Sequence, residues 1–225
     1  MKTFIVTGAG SGLGRELALL FAEKGFEIIL AGRLISRLQE VKEEIEASGG
    51  LAQTLVIDIT EIASIPEKLK NALKEKQIYG LINNAGVGHF GPLTKMSDPD
   101  IIKMLQTNIY GTIFMTKAIL PFLEKTGQGH VINIISTAGL RGKVNESVYA
   151  ASKFAIRGFT ESLQKEYEGQ NIRFTAAYMG GMDTPFWKNS THVADHSRFR
   201  SPREVAEYIV AHLENDEIII ESKKS

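Results

Sequence analysis

The sequence predicts one doubly wound α/β domain built on a parallel sheet. Three observations carry this reading. Strand-like apolar runs alternate with helix-like segments from one end of the 225 residues to the other. The runs are continuously apolar, as in FIVTG and HVINIIS, which marks strands covered by helices on both faces. No repeat, low-complexity tract or Pro/Gly/Ser-rich linker divides the chain. A chain of this length buries about 70% of its unfolded surface and needs no covalent staple. Cysteine is absent, which excludes a disulfide framework, a thiolate zinc site, an iron–sulfur site and a Cys nucleophile.

The elements follow in order. TFIVTG (3–8) is the first strand. Glycine-rich residues then open a helix over Leu13–Lys24, apolar at Leu17, Leu20 and Phe21. EIILAG (27–32) is the second strand, and a charged helix runs over Ile35–Ala47. LAQTLVID (51–58) is the third strand. Pro66 suits the first turn of the next helix, where its missing N–H would have no partner anyway. That helix leads to YGLINNAG (79–86), the fourth strand. A long helical stretch over Asp98–Glu124 follows, whose Ile102, Leu105, Ile109, Phe114 and Leu120 read mostly as core. HVINIIS (130–136) is the fifth strand. A helix over Val148–Glu168 leads to IRFTAAY (172–178), and one over Pro202–Leu213 to DEIIIES (216–222). Only residues 184–201 break the alternation. Their aperiodic mix, with Pro185, Phe186, Trp187, two histidines and two arginines, reads as a lid or a long loop.

Charge excludes some partners. Twenty-six Lys and Arg balance 26 Asp and Glu, so no global field draws in nucleic acid or an anionic membrane. No apolar run reaches the roughly 18 residues of a membrane span, and glycines interrupt the short apolar run near Met1. The default expectation is a cytoplasmic chain.

Chemistry enters at the first turn. Thr7-Gly8-Ala9-Gly10-Ser11-Gly12-Leu13-Gly14 follows a strand and opens a helix, the context that a dinucleotide fingerprint requires. Glycines let the backbone approach a pyrophosphate, which then sits on the helix N-terminus. Taken alone, the pattern could equally be a ligand-free βα turn. Further motifs accompany it: Asp58 after strand three, Asn83-Asn84-Ala85-Gly86 after strand four, then Asn108, Ser136, Tyr149 and Lys153. In type, order and spacing, from residue 2 to about 184, this constellation resembles the short-chain dehydrogenases/reductases.

That resemblance implies a Rossmann fold over residues 1–225, with a mostly or wholly parallel seven-stranded sheet in the order 3-2-1-4-5-6-7 and a substrate lid at about 184–201. It implies a catalytic tetrad of Asn108, Ser136, Tyr149 and Lys153. It implies a dinucleotide held by Gly8, Ser11, Gly12, Leu13, Gly14, Arg33, Asp58, Ile59, Asn84, Ala85, Gly86 and Thr184, with Tyr149 and Lys153. A homodimer or homotetramer is implied through the Asp98–Glu124 and Tyr149 helices, and a small carbonyl or alcohol as substrate. No metal is implied.

The residues support the chemistry in their own right. Tyr149 and Lys153 stand four apart on a helix and share a face. A phenol with a pKa near ~10 is a poor base, and a cation beside it favours the phenolate. Tyr149 then serves as proton donor to a carbonyl or as base toward an alcohol. Ser136 can hydrogen-bond the substrate oxygen. By resemblance, Lys153 also holds the nicotinamide ribose, and Asn108 positions a water that links Lys153 to solvent.

Strand two ends Leu30-Ala31-Gly32-Arg33. Enzymes that prefer NAD carry an acid at this end to bind the ribose 2′-hydroxyl. Here the resemblance places Gly32 in that position, and Arg33 follows with a guanidinium suited to a 2′-phosphate. NADP is therefore expected over NAD. Met179 stands where the family often has Pro, before Gly180-Gly181, so a looser turn is expected there. His192 and His196 could share a metal on a helix, but they lack a third ligand and read as loop histidines. Arg141, Lys143, Lys188, Arg198 and Arg200 read as surface charge. Two other functions stay open: a 3-oxoacyl-thioester reductase, and a dinucleotide-sensing regulator without turnover.

Overall fold

The computed structural model describes residues 1–223 apart from Asn189, Thr191 and Ala194. Seven strands form one sheet: β1 (Lys2–Thr7), β2 (Glu27–Gly32), β3 (Ala52–Val56), β4 (Gln77–Asn83), β5 (Gly129–Ile134), β6 (Ile172–Met179) and β7 (Glu217–Ile220). Their order is β3-β2-β1-β4-β5-β6-β7. All six pairings are parallel. The helices are α1 (Gly12–Glu23), α2 (Ile35–Ala47), α3 (Ile65–Ala72), α4 (Asp98–Leu105), α5 (Thr112–Thr126), α6 (Ser147–Glu166) and α7 (Pro202–Ala211). Among the described residues, no helix is long and apolar enough to cross a membrane.

Side chains alternate across a strand, and here both faces are buried. Phe4 and Val6 point to one face with Leu17 and Phe21 of α1, Leu38 and Val41 of α2, and Ile209 of α7. Ile5 points to the other, with Leu69 of α3, Ile119 of α5 and Leu163 of α6. This is why the central strands are apolar without alternation. The edge strands β3 and β7 do alternate, since one face of each meets solvent. Both are shorter than the apolar runs in the sequence, because pairing stops where a neighbour ends.

The stretch over Asp98–Glu124 is not one regular helix. A π-helical turn, Gln106–Gly111, joins α4 to α5, which continues to Thr126. Its core face is Met104, Met115, Ile119 and Leu123. Of the expected set, Phe114 and Leu120 pack partly covered against that core and Ile109 against a smaller buried cluster; Leu105 is partly covered, and Ile102, expected in the core, is instead exposed. The stretch is apolar on two faces, so periodicity could not tell which one meets the sheet.

A polar ladder crosses the sheet where β4 meets β5. The Asn83 amide donates to Asn133 Oδ1 (2.8 Å) and to Thr116 Oγ1 (2.9 Å). The Asn133 amide donates to Thr160 Oγ1 at 2.8 Å. Thr116 and Thr160 donate in turn to the helix carbonyls of Thr112 and Ile156. A buried network with every member partnered fixes α5 and α6 against the strands. Losing one partner from such a network costs about 1–3 kcal/mol.

Candidate active site

The strand order reverses direction between β1 and β4, so the loops after these strands diverge and leave a crevice. A cleft of about 900 Å³ lies there. It is lined by Gly8, Ser11, Gly12 and Leu13 from the first turn, Arg33, Asp58 and Ile59 from the next two strand ends, and Asn84, Ala85 and Gly86 after β4. Ser136, Tyr149, Lys153 and Thr184 complete the expected set on the far side. Gly14 and Asn108 are the two expected residues that do not line it. Each stands behind the wall and shapes it.

Gly14 shows how. A Cβ there would sit 2.4 Å from both the Gly8 carbonyl oxygen and Asn84 Nδ2. Only glycine allows α1 to start this close to β1. Asn84 Nδ2 donates to the Thr7 carbonyl at 2.9 Å. The Thr7 hydroxyl accepts from the backbone N–H groups of Asn84 (3.0 Å) and Ala85 (3.1 Å). The two turns are therefore laced into one surface. Gly8 and Gly12 have φ of 66° and 55°, which glycine adopts without strain. A Cβ on Gly12 would press on Thr184, so its bareness keeps the floor open.

Asn108 lies in the π turn, buried. Its Oδ1 accepts from the Val87 N–H at 2.9 Å, and its Nδ2 donates to the Val87 carbonyl at 2.9 Å and to Ser152 Oγ at 3.0 Å. The side chain is fully engaged in holding the irregular segment that follows β4 against α6. Lys153 Nζ donates to the Ile134 carbonyl at 3.1 Å and lies 5.8 Å from the centre of the Tyr149 ring. Ser136 ends the fifth strand run, and its Oγ accepts from the Ala138 N–H at 3.1 Å.

The cleft is thus a glycine cradle beside a Ser, a Tyr and a Lys at the switch point of a parallel sheet. Residues 2–194 match the short chain dehydrogenase family. The chain belongs to the short-chain dehydrogenase family. A sepiapterin reductase of Chlorobaculum tepidum is 34% identical over 194 residues, covering 81% of this chain and 78% of that protein. A 3-oxoacyl acyl-carrier-protein reductase of Thermotoga maritima is 30% identical, covering 93% of this chain and 89% of its own length. Among solved structures, an alcohol dehydrogenase of the archaeon Thermococcus sibiricus complexed with 5-hydroxy-NADP superposes with a TM-score of 0.89. It is 26% identical, and the match covers 97% of this chain and 95% of that one. This short-chain dehydrogenase is an oxidoreductase acting on CH–OH or C=O groups.

In this dehydrogenase, burial sets the proton affinities of the two central groups. Tyr149 is 9% exposed and Lys153 7%. Burial raises the Tyr149 phenol well above its ordinary value; the Ser136 hydroxyl pulls it back, and the Glu146 charge raises it further. Burial lowers Lys153 from 10.5 to about 8. The folded lysine therefore releases its proton before the unfolded one does. Between pH 8 and 10.5 the unfolded chain holds more protons, so stability from this group rises with pH. Lys153→Met is expected to raise the melting temperature of the cofactor-free protein at pH 7. That gain should shrink as pH climbs through 8 toward 10. Thermal scans across this range check it, and a gain that holds constant or grows would contradict it.

The turn after β6 differs from expectation. Met179 is buried and continues the strand rather than loosening it. Gly180 N–H donates to the Ile220 carbonyl at 2.8 Å, and Gly181 N–H donates to Ser222 Oγ at 3.1 Å. Cβ atoms on the two glycines would collide with Ser222 and Phe199. The segment after β7 therefore clamps the turn that the sequence left loose.

Asp58 and Arg33 face one another at the other end of the cleft, Nη1 to Oδ2 at 4.0 Å. Partial burial raises the Asp58 carboxyl, but hydrogen bonds from Thr60 and the charges of Arg33 and Lys68 hold it below its ordinary value. Arg141, Lys143 and Arg198 line the cleft rather than lying apart from it. Arg141 is paired with both oxygens of Glu221 at 2.9 Å. His192 donates to Glu146 and His196 stacks on Phe199, so the two rings have separate partners. Among the described residues, no three His, Cys, Asp or Glu side chains gather as a metal site. Sequence reasoning did not single out Glu146 or Ser222, which line the cleft; neither belongs to a motif, and only the fold brings them there.

Proposed function

We propose that the cleft binds NADP(H) in preference to NAD(H) and that Ser136, Tyr149 and Lys153 act on a small carbonyl or alcohol at its nicotinamide end. The observation that carries this is the shared cleft. A glycine cradle that added Cβ atoms would fill, an unblocked Arg33 and a buried Tyr–Lys pair open onto the same space. The cradle fits a pyrophosphate, since the start of α1 presents backbone N–H groups there. Arg33, half a cleft away, suits the 2′-phosphate. Ser11, Leu13, Asp58, Ile59, Asn84, Ala85, Gly86 and Thr184 would complete the dinucleotide site. When bound, the nicotinamide supplies or accepts the hydride.

The chain's own residues handle the oxygen. In reduction, Tyr149 gives its proton to the substrate oxygen, and Ser136 donates a hydrogen bond to the same atom. Burial keeps the phenol protonated in the free protein, so release of that proton relies on the positive charge of Lys153 beside it. Lys153 holds positive charge beside the phenolate that forms, and would bond the nicotinamide ribose. Asn108 orients the Val87 segment and Ser152 behind them.

The proposal extends to one domain over residues 1–225 with a substrate lid at 184–201; Asn189, Thr191 and Ala194 of that lid lie outside the described residues. It extends to a homodimer or homotetramer. Ile102, Tyr110 and Phe154 are exposed apolar residues on α4, the π turn and α6, which suits burial against a second copy. A cytoplasmic location fits a cofactor too highly charged to leave the cell's own pool.

The test is a screen of ketones, diketones and acyl thioesters with NADPH, followed by loss of its absorbance. Turnover of ketones is the expected result. Turnover of acyl thioesters alone would favour the reading suggested by the similarity to the Thermotoga reductase. Tight NADPH binding with no turnover in any class would favour a dinucleotide sensor.

A further inference from the structure

Glu146 is 6% exposed, although a carboxylate is seldom buried without a partner. It stands three residues before Tyr149, immediately ahead of α6. Its position is set by the backbone. Asn145 takes the left-handed φ of 61°, which Asn tolerates better than most residues. The Asn145 carbonyl accepts from the Gly91 N–H at 2.9 Å, which ties this corner to the loop after β4. The bend turns the Glu146 side chain into the cleft wall.

There Glu146 Oε1 is 3.0 Å from His192 Nε2. A carboxylate only accepts, so Nε2 carries the proton and donates. The His192 ring lies flat on Phe90, with centroids 4.6 Å apart and planes 13° apart. Phe90 lies nearly parallel to Trp187 at 5.3 Å and meets Tyr149 at 5.3 Å with the two planes 70° apart. One line of contact therefore runs from the carboxylate through the imidazole and Phe90 to the phenol.

Resting on the reading of Tyr149 as proton donor, we propose that Glu146 is a positioning residue for the substrate. Its carboxylate fixes the His192 ring, and the stack of His192 and Phe90 backs Trp187, which lines the cleft near Tyr149 as the wall that receives the substituent of the carbonyl. Aromatic faces offer that substituent no strong hydrogen-bond partner. The substrate class this wall selects is a ketone bearing an apolar or aryl group, packed against the rings while its oxygen meets Tyr149 and Ser136.

Trp187 is the chain's single tryptophan, so fluorescence reads this wall directly. Glu146→Ala, Glu146→Gln, His192→Ala and the Glu146→Ala/His192→Ala pair are compared. Acrylamide quenching of Trp187 should rise about twofold in each alanine variant as the stack loosens. The double variant should add nothing, because both changes cut one link. Glu146→Gln should stay near the unaltered protein, since its amide oxygen still accepts from Nε2. With 1-phenyl-1,2-propanedione as probe, KM should rise about tenfold in the alanine variants, with kcat and NADPH affinity nearly kept. Quenching unchanged in His192→Ala, or additive effects in the pair, would overturn the proposal. A merely structural Glu146 would lower the melting temperature with no matching effect from His192→Ala. Should Glu146→Ala fail to fold, His192→Ala and Glu146→Gln still decide. If the unaltered protein reduces no carbonyl with NADPH, the functional reading fails, while quenching still judges the link.

Discussion

In the Tyr149→Phe enzyme, kcat for carbonyl reduction is expected to fall at least ~10²-fold, the scale of general acid–base catalysis. NADPH affinity is expected to stay near that of the unaltered enzyme. The reason lies in how little else changes. The ring is held by packing, 5.3 Å from Phe90 with planes 70° apart and 6.0 Å from Phe186 in a tilted contact. Phenylalanine keeps those contacts and removes only the hydroxyl. Lys153 keeps its bond to the Ile134 carbonyl, which does not involve the phenol. A drop in kcat without a change in the dissociation constant for NADPH therefore isolates the proton transfer. Rapid kinetics together with equilibrium titration of NADPH decide the matter. A kcat close to the unaltered value would remove Tyr149 from the mechanism.

The second large effect concerns the cofactor. The double change Gly32→Asp with Arg33→Leu is expected to reverse the ratio of kcat/KM for NADPH over NADH. The Arg33 guanidinium is exposed, and its nearest acid, Asp58, is 4.0 Å away, so it can turn to a 2′-phosphate. Exchanging an attractive charge for a repulsive one near 4 Å shifts the balance by several kcal/mol at a surface-like dielectric, a swing of about 10²-fold or more. The backbone admits the new side chain. A Cβ at Gly32 would meet Leu38 Cδ2 at 3.1 Å, the tip of a flexible side chain that need yield only slightly. Comparing kcat/KM for both cofactors in both proteins checks this. Equal values in the unaltered enzyme would show that Arg33 does not read the phosphate.

Much of the fold was legible because each central strand carries its burial in its own composition. Ile5, Ile29, Leu81 and Val131 need no partner on the page to read as a covered sheet. The candidate site was legible where chemistry demands fixed spacing along one element, as with Tyr149 and Lys153 on α6 or the glycines after β1. Glu146 was not, because its partner His192 is 46 residues away on an irregular segment. Ser222 was not, because its hold on Gly181 is made only when β7 pairs with β6. The core face of α4 and α5 was misjudged in part, at Ile102, for a different reason. Ile102 and Ile109 are as apolar as Met115 and Ile119, and pattern alone cannot rank two greasy faces.

The lacing of the Thr7 hydroxyl to Asn84 has a consequence for how the chain reaches its native state. The two residues are 77 apart in sequence, and β1 acquires β4 as its neighbour only across that same gap. Before β4 arrives, β1 can pair only with β2 and leaves one backbone edge bare. Such distant pairings form slowly, and a bare apolar edge invites other chains. By that argument the proposed cofactor cradle would be finished late in folding, at the same step that seals the centre of the sheet. A dinucleotide that binds only the finished cradle would draw the population toward completed chains by mass action. Cofactor supply during synthesis would thus act on the yield of soluble protein as well as on its turnover.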